Sequence, residues 1–445
     1  MTSRLLDPAK EAYVWTWLPS AVTPVVAGRV ELIDGIHHFV YGQSYLKRCN
    51  DPSQGAAALY TPELPLRQGR IMPKAPLTIA GCLRDAAPDS WGRRVILHRQ
   101  IGRSRHEIDV DSLDELNYML LSGSDRIGAL DFQNSGTRYV SRDAEPAPLE
   151  ELVAAADRVE RGLPLSRELE EALNHGTSIG GARPKAQLVD GQRKLIAKFS
   201  ASADTHNVVK AEFIAMRLAT LVGVEAARVE LVKAGGKDVL LVERFDRTPC
   251  AQGSAADGKS GGGWARRAMV SALTLLGLDE FEAHYGSYED LAGILRRQGT
   301  APSEMPRELF RRMIFNILIG NTDDHARNHA AFWDGHQLTL TPAYDIDPRP
   351  RWGREANQAL RVRGESRQSR VALAIEAAPN FGFTGREAED IVFHQVDVIR
   401  KHLAVLSEEA GQSEADRQQL ANRAILNAYV FEGASARIAA LDHSL

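Results

Sequence analysis

Gly320-Asn321-Thr322-Asp323-Asp324-His325-Ala326-Arg327-Asn328 is the stretch on which the reading of this chain turns. It is a dense polar cluster between an apolar helical pattern, Glu308–Leu318, and an apolar run that reads as a strand. Asp323 and Asn328 stand in the D-x-x-x-x-N spacing of phosphoryl-transfer catalytic loops, where the aspartate accepts the proton of the attacking hydroxyl and the asparagine holds Mg²⁺. Carboxylate and amide oxygens suit a hard cation of that kind. Two other readings are open on these residues alone. His325 and His329, four apart, could join Asp324 as the transition-metal cluster of a hydrolase. The stretch could also be a polar turn that caps a helix.

Downstream lies Tyr344-Asp345-Ile346-Asp347, with Asp345 17 residues after Asn328, across an expected hairpin with its turn at Asp334-Gly335. It is expected to close a strand that begins near Gln337, with Asp345 and Asp347 on one face, so that either could bind metal. Upstream, the loop Gly176-Thr177-Ser178-Ile179-Gly180-Gly181-Ala182 precedes a hairpin, Lys185–Val189 and Lys194–Phe199 around Asp190-Gly191. Glycines let backbone N–H groups approach an anion closely. Lys198 interrupts the apolar run Leu195–Phe199, where an ammonium is costly unless paired or turned to solvent. The next segment, His206–Val222, reads as a helix with apolar Val209, Phe213, Met216 and Ala219, stopped by Gly223, and it offers Glu212 as a partner for Lys198. Each piece is common by itself. Their order (glycine loop, strand lysine, helix glutamate, D-x-x-x-x-N, hairpin, aspartate) points to ATP-dependent phosphoryl transfer.

The rest of the chain frames this. It has 445 residues, a net charge of −4, 44% apolar and 25% charged residues, which excludes disordered and fibrous classes and gives no basic footprint for nucleic acid. Cys49, Cys82 and Cys250 are distant and odd in number, against a disulfide framework or zinc site. The N-terminal residues lack a signal core, and the longest apolar stretch, Ala268–Leu278, falls short of the ~20 residues that cross a bilayer. A soluble cytoplasmic protein is expected. An Asp34-Gly35 hairpin joins Val25–Ile33 to His37–Tyr41, and helical patterns cover Gly81–Gln100, Leu113–Ser122, Leu149–Arg161, Ser166–Asn174, Arg386–Ala404 and Glu414–Tyr429. Strand-like runs at Ala227–Val232 and Val239–Val242 flank Ala234–Lys237, Ala330–Asp347 interrupts the later helices, and 251–263 is low-complexity. Three parts are expected, 1–140, 141–247 and 248–445.

On Ser178-Ile179-Gly180-Gly181-Ala182-Arg183-Pro184-Lys185, Leu195–Phe199, Val242-Glu243-Arg244-Phe245-Asp246-Arg247, Asn321–Asn328 and Ala343–Ile346, the chain resembles the HipA family of bacterial serine/threonine kinases, toxin halves of type II toxin–antitoxin pairs. Gly123–Leu130 resembles the family's N-terminal subdomain. The resemblance implies an α+β, two-lobed protein-kinase-like fold, with a mixed α/β N-terminal part, an ATP-binding lobe and a mainly helical C-terminal lobe. By position, it implies that Lys198 and the loop around Gly180 and Gly181 contact ATP, that Glu243 to Phe245 hold adenine through backbone groups, and that Asp323 is the catalytic base. It implies Mg²⁺ on Asn328 and Asp345, with Glu212 and His325 in support. Ser178 matches an autophosphorylated serine; a phosphate there adds about −1.5 to −2 charges and should expel the loop from its ATP-cradling shape. The implied partners are a helix-turn-helix antitoxin, DNA only through that antitoxin, and a protein acceptor such as an aminoacyl-tRNA synthetase, with no membrane. A kinase-shaped scaffold without catalysis, and a kinase with a small-molecule acceptor such as an aminoglycoside or sugar, remain alternatives.

Overall fold

Residues 9–101, 113–143, 147–163, 165–166, 169, 183–201, 204, 206–250 and 263–441 are described by the computed structural model. They divide into two units, Met1–Ala203 with Val232–Val270 and Trp333–His336, and Asp204–Leu231 with Ser271–Phe332 and Gln337–Leu445. The helix carrying Glu212 thus packs with the second unit, although the sequence grouped it with 141–247.

The first unit holds two larger sheets, besides the two-stranded antiparallel pair Arg247–Cys250 and Gly263–Arg266. One has the order β4-β3-β2-β1-β5, from β1 (Glu11–Thr16), β2 (Val25–Ile33), β3 (Ile36–Tyr41), β4 (Arg70–Ile71) and β5 (Leu130–Gln133). The β2–β3 register pairs Ile33 with Ile36, leaving Asp34 and Gly35 at φ 50° and 79°. Two positive φ angles make the turn whose twist matches the strands, which is what Asp-Gly favours. The other sheet has the order β6-β7-β9-β8, from β6 (Lys185–Asp190), β7 (Arg193–Phe199), β8 (Val229–Ala234, in this unit from Val232 on) and β9 (Lys237–Glu243). The β6–β7 turn lies one residue later than the sequence suggested, because the register pairs Asp190 with Arg193 and puts Gly191 at φ 58°. Leu195, Ala197 and Phe199 are buried and alternate with half-buried Ile196 and Lys198. They share a core with Trp91 and Val95 of α1 (Ser90–Ile101), and with Leu152, Val153 and Ala156 of a later helix, Leu149–Glu160. Lys198 therefore lies on the opposite face of the sheet from that core. The pattern Gly81–Gln100 is split: Gly81–Arg84 forms one turn, and α1 starts only after Pro88.

A buried ion network ties the 123–131 segment of this unit to the strands around it. Arg126 Nε donates to Asp131 at 2.9 Å, and both side chains are fully buried. Arg244 reaches Asp125 at 3.1 Å, Asp246 at 2.8 Å and Gln187 at 2.9 Å. Arg247 reaches Asp125 at 2.9 Å and Asp246 at 2.8 Å, and Lys194 pairs with Asp125. Gly128 N–H also donates to Asp246 at 2.8 Å. Burial pushes the Asp246 carboxyl up, but Arg244 and Arg247 outweigh it and hold it at about 2. The two signature stretches 123–130 and 242–247 thus interlock.

The second unit is mainly helical: α2 (Val208–Leu221), α3 (Tyr288–Gln298), α4 (Glu304–Ile319), α5 (Gly385–Glu409) and α6 (Glu414–Arg423). Along α4 both faces are buried from Leu309 on, as expected of a central helix. Phe310 of α4 packs against Phe381 and Phe383, and Lys210 Nζ of α2 donates to Gly411 O at 2.6 Å just past α5. The expected helix Glu414–Tyr429 ends at Arg423, and Leu426 takes φ 47°. The hairpin expected within Ala330–Asp347 is formed by Ala330–Trp333 and Leu338–Leu340 around Asp334-Gly335, its second strand ending before Asp345. No helix of the described residues is long and apolar enough to cross a membrane.

Candidate active site

Helix α4 delivers the polar loop. Gly320 ends it at φ 75°, with Gly320 N–H on Ile317 O (3.3 Å) and Asn321 N–H on Asn316 O (2.9 Å), the paired bonds of a glycine C-cap. A Cβ at Gly320 would stand 2.6 Å from Ala424 O, so only glycine fits. The loop closes in the short 3₁₀ turn Ala326–Asn328. His325 N–H donates to Asp323 O, and Asn328 N–H to His325 O, each at 2.8 Å. Asn328 Nδ2 donates to Asp323 O at 2.9 Å. With its NH₂ group committed to the backbone, the Asn328 amide keeps Oδ1 as its acceptor for another group. The Asp323 side chain is 40% exposed and accepts from Arg349 Nη2 at 2.7 Å. A hydroxyl can therefore reach it.

Asp324, its neighbour, faces the other way. It is 1% exposed and accepts from the Tyr288 hydroxyl of α3, from Gln358 Nε2 at 2.9 Å and from Ala359 N–H at 3.0 Å. Asn316 Nδ2 donates to the Tyr288 oxygen at 3.0 Å, and Gln358 Nε2 also reaches Asn321 O at 2.9 Å. Burial pushes the Asp324 carboxyl up to about 7 against these donors. His329 is buried with Nε2 unpartnered, and burial together with Arg312 and His325 holds it down at about 3. Among the described residues no three His, Cys, Asp or Glu side chains gather as a metal cluster. The transition-metal reading of His325, His329 and Asp324 is thereby corrected: Asp324 is spent on Tyr288, Gln358 and Ala359.

Asp345 lies in irregular chain and not on a strand face shared with Asp347. Ala343 is held by a parallel bridge to the segment before β8, with Ala227 N–H on Ala343 O (2.9 Å) and Ala343 N–H on Glu225 O (2.7 Å). Two residues later Asp345 adopts φ 59°, a left-handed conformation uncommon outside glycine, which breaks the alternation. Such a conformation serves a turn at Asp34 and, in other proteins, also clusters at active sites. Tyr344 OH donates to Arg327 O at 2.7 Å. Asn328, Tyr344 and Ile346 line one small pocket with Asp324 and His329. Asn328 and the residues flanking Asp345 therefore share a wall. An amide oxygen and a carboxylate suit Mg²⁺, which takes one or two such protein ligands and completes its shell with phosphate and water.

Lys198 is half-buried on β7, directly opposite Lys185, which is 3% exposed and 3.7 Å from Asp89. Glu243 ends β9 opposite Leu195, and Phe245 follows Arg244, whose N–H donates to Lys194 O at 2.8 Å. Glu212 is buried in α2. Ser178, Gly180 and Gly181, most of the helix expected at Ser166–Asn174 and nearly all of the 251–263 stretch lie outside the described residues.

Sequence reasoning missed Tyr288, Gln358 and Arg349. Tyr288 sits in an amphipathic helix pattern and Gln358 in an irregular segment, neither with a motif. Arg349 stands in an arginine-rich run, Arg349-Pro350-Arg351-Trp352-Gly353-Arg354, whose composition was a signal available to be read.

A relative from Sinorhizobium fredii is 29% identical over 219 residues, 46% of this chain and 49% of its own. The serine/threonine-protein kinase toxin HipA of Shewanella oneidensis is 27% identical over 248 residues, 50% of this chain and 54% of its own. The chain thus spans about half the length of these curated relatives. The structure of a Shewanella oneidensis toxin–antitoxin complex of HipA, HipB and operator DNA aligns with a TM-score of 0.63 at 18% identity, over 92% of this chain and 94% of that one, a likeness of fold. The fold is thus α+β and kinase-like. The model of the HipA-like C-terminal domain matches residues 177–403, just over half of the sequence and the part that holds both Asp323 and Asp345, and so the chain belongs to the HipA family.

Proposed function

We propose that this protein transfers the γ-phosphoryl group of ATP to a serine or threonine hydroxyl of a protein. The observation that carries the reading is the Asn328 amide: it donates to the carbonyl of Asp323 and keeps its own oxygen as an acceptor, in a pocket also lined by Tyr344 and Ile346, the neighbours of Asp345. Asp323 accepts the proton of the attacking hydroxyl. Asn328 Oδ1 and Asp345 would hold Mg²⁺, which supplies charge neutralisation for the phosphoryl oxygens. Lys198 and the 176–182 loop orient the phosphates, and Glu243 to Phe245 hold the base. Positioning and electrostatics supply most of the catalysis in such a site.

The family further supports autophosphorylation of Ser178 as self-inactivation, and an aminoacyl-tRNA synthetase as the first acceptor to test. The HipB and operator DNA bound to the Shewanella oneidensis HipA support a helix-turn-helix antitoxin as partner, with DNA engaged through it. Labelled ATP with magnesium, a panel of synthetases and the full chain tests the reading. Transfer should vanish in Asp323→Ala and Asp345→Ala, and mass spectrometry should find phosphate on the 176–185 peptide. An unchanged rate in Asp323→Ala would refute the assignment of the base.

A further inference from the structure

The segment that follows Asp345 holds an unsatisfied charge. Arg349 pairs with Asp323 at 2.7 Å and lies 3.6 Å from Asp347, and Arg354 pairs with Glu432 at 2.6 Å. Arg351, between them, has Nε, Nη1 and Nη2 all buried and none with a hydrogen-bond partner. Its guanidinium lies 5.6 Å from the centre of the Tyr429 ring, and no carboxylate pairs with it among the described residues. A guanidinium keeps its charge and presents five donors in a planar fork. Burying those donors without acceptors is costly, and a carboxylate taken bidentately offsets that cost. Beside it Trp352 is 85% exposed, with the Arg423 guanidinium stacked 3.4 Å over its ring.

Position limits what the ligand can be. Two residues of chain span at most about 7 Å, so Arg351 lies within a few side-chain lengths of the residue that touches Asp323. A hydroxyl delivered to Asp323 must come within hydrogen-bond reach of it. A segment flanking that hydroxyl can then reach 349–354. We propose that Arg351, with the Trp352 platform, is a binding site for an aspartate- or glutamate-rich segment flanking the acceptor hydroxyl. The proposal deepens the phosphotransfer reading and rests on it for the acceptor's identity as a protein.

The test uses the full chain and two fluorescent serine peptides of equal length, one glutamate-rich and one lysine-rich. Anisotropy measures binding, and labelled ATP measures transfer. The wild type should bind the glutamate-rich peptide at least tenfold more tightly. Arg351→Ala should lose about tenfold or more of that affinity, as a charged hydrogen-bond pair would, with the loss falling on the peptide KM rather than on kcat. Arg351→Lys should recover only part, having no fork. Arg351→Ala should melt no lower than wild type, since it removes an unpaired buried charge, and Trp352→Ala, at an exposed position, gives a second folded variant with weakened binding. Equal binding of the two peptides, or of wild type and Arg351→Ala, overturns the site whatever the transfer assay gives. Displacement of the peptide by a single-stranded oligonucleotide of higher affinity overturns it in favour of a nucleic-acid ligand. Selective peptide binding with no phosphate transfer leaves the acidic site standing and strikes at the phosphotransfer reading instead.

Discussion

In the first unit Asp125 and Asp246 lie buried among Arg244 and Arg247, whereas in the second unit Asp323 meets Arg349 at the surface. The residue types and the bond lengths are nearly the same, and the physics differs. In the buried network the charges have lost most of their water, so each depends on its partners for satisfaction. The network fixes one segment against another and can do no chemistry. At Asp323 water still screens the pair, Arg349 contributes little, and the carboxylate stays available to an incoming hydroxyl. Asp323 and Asp324 show the two behaviours within one loop, because a single step along the chain turns the carboxyl from solvent into the interior.

Substitutions test this contrast directly. The largest effect should come from Asp246→Ala, which strands Arg244, Arg247 and the Gly128 N–H. It should destabilise by about 3–5 kcal/mol or prevent folding. Denaturant titration showing a loss below about 1 kcal/mol would mean that the network is open to water. Next, Asp323→Ala should lower phosphoryl transfer by about 10²–10⁴-fold, as loss of a general base does. Its unfolding midpoint should barely move, and a collapse of stability would show that the loop depends on this carboxylate.

Asp324 should appear in the pH dependence of stability. In the folded state it titrates at about 7, and in the unfolded chain near an ordinary aspartate's ~3.9. Between about pH 4 and 7 the folded protein holds a proton that the unfolded chain has released, so this group costs stability as pH rises through that window. His329, held down at about 3 against an ordinary ~6.5, acts in the opposite sense: its contribution is lost as pH falls below about 6.5. The two slopes oppose each other between about pH 4 and 6.5. Asp324→Asn cannot ionise, so its melting temperature should rise with pH more steeply than that of the wild type across this range. Parallel curves would remove Asp324 from the interior network. The smallest effect belongs to Arg349→Ala, which should change stability by no more than about 1 kcal/mol, since both partners are about half exposed.

Much of this was legible along the chain. Asp34-Gly35 specified its hairpin because a two-residue turn is a local event decided by φ preference. Asp323 and Asn328 could be chosen because their five-residue separation is itself the geometry: one turn of loop brings the amide onto the aspartate's own carbonyl. What could not be read are pairings across long separations. Asp324 could have been a ligand until Tyr288, 36 residues upstream, and Gln358, 34 downstream, claimed it. Glu243 to Phe245 read as one short stretch of hinge, yet the arginine within it is bound to Asp125, 119 residues away.

The residue types, their order and their local spacing were set by the sequence alone, for such features need only neighbouring backbone to take effect. Which carboxylates face inward, which backbone turns left-handed at Asp345, and which arginine is left without an acceptor were decided by tertiary packing. Burial is a property of everything that surrounds a side chain, and those surroundings come from parts of the chain that share no pattern with it.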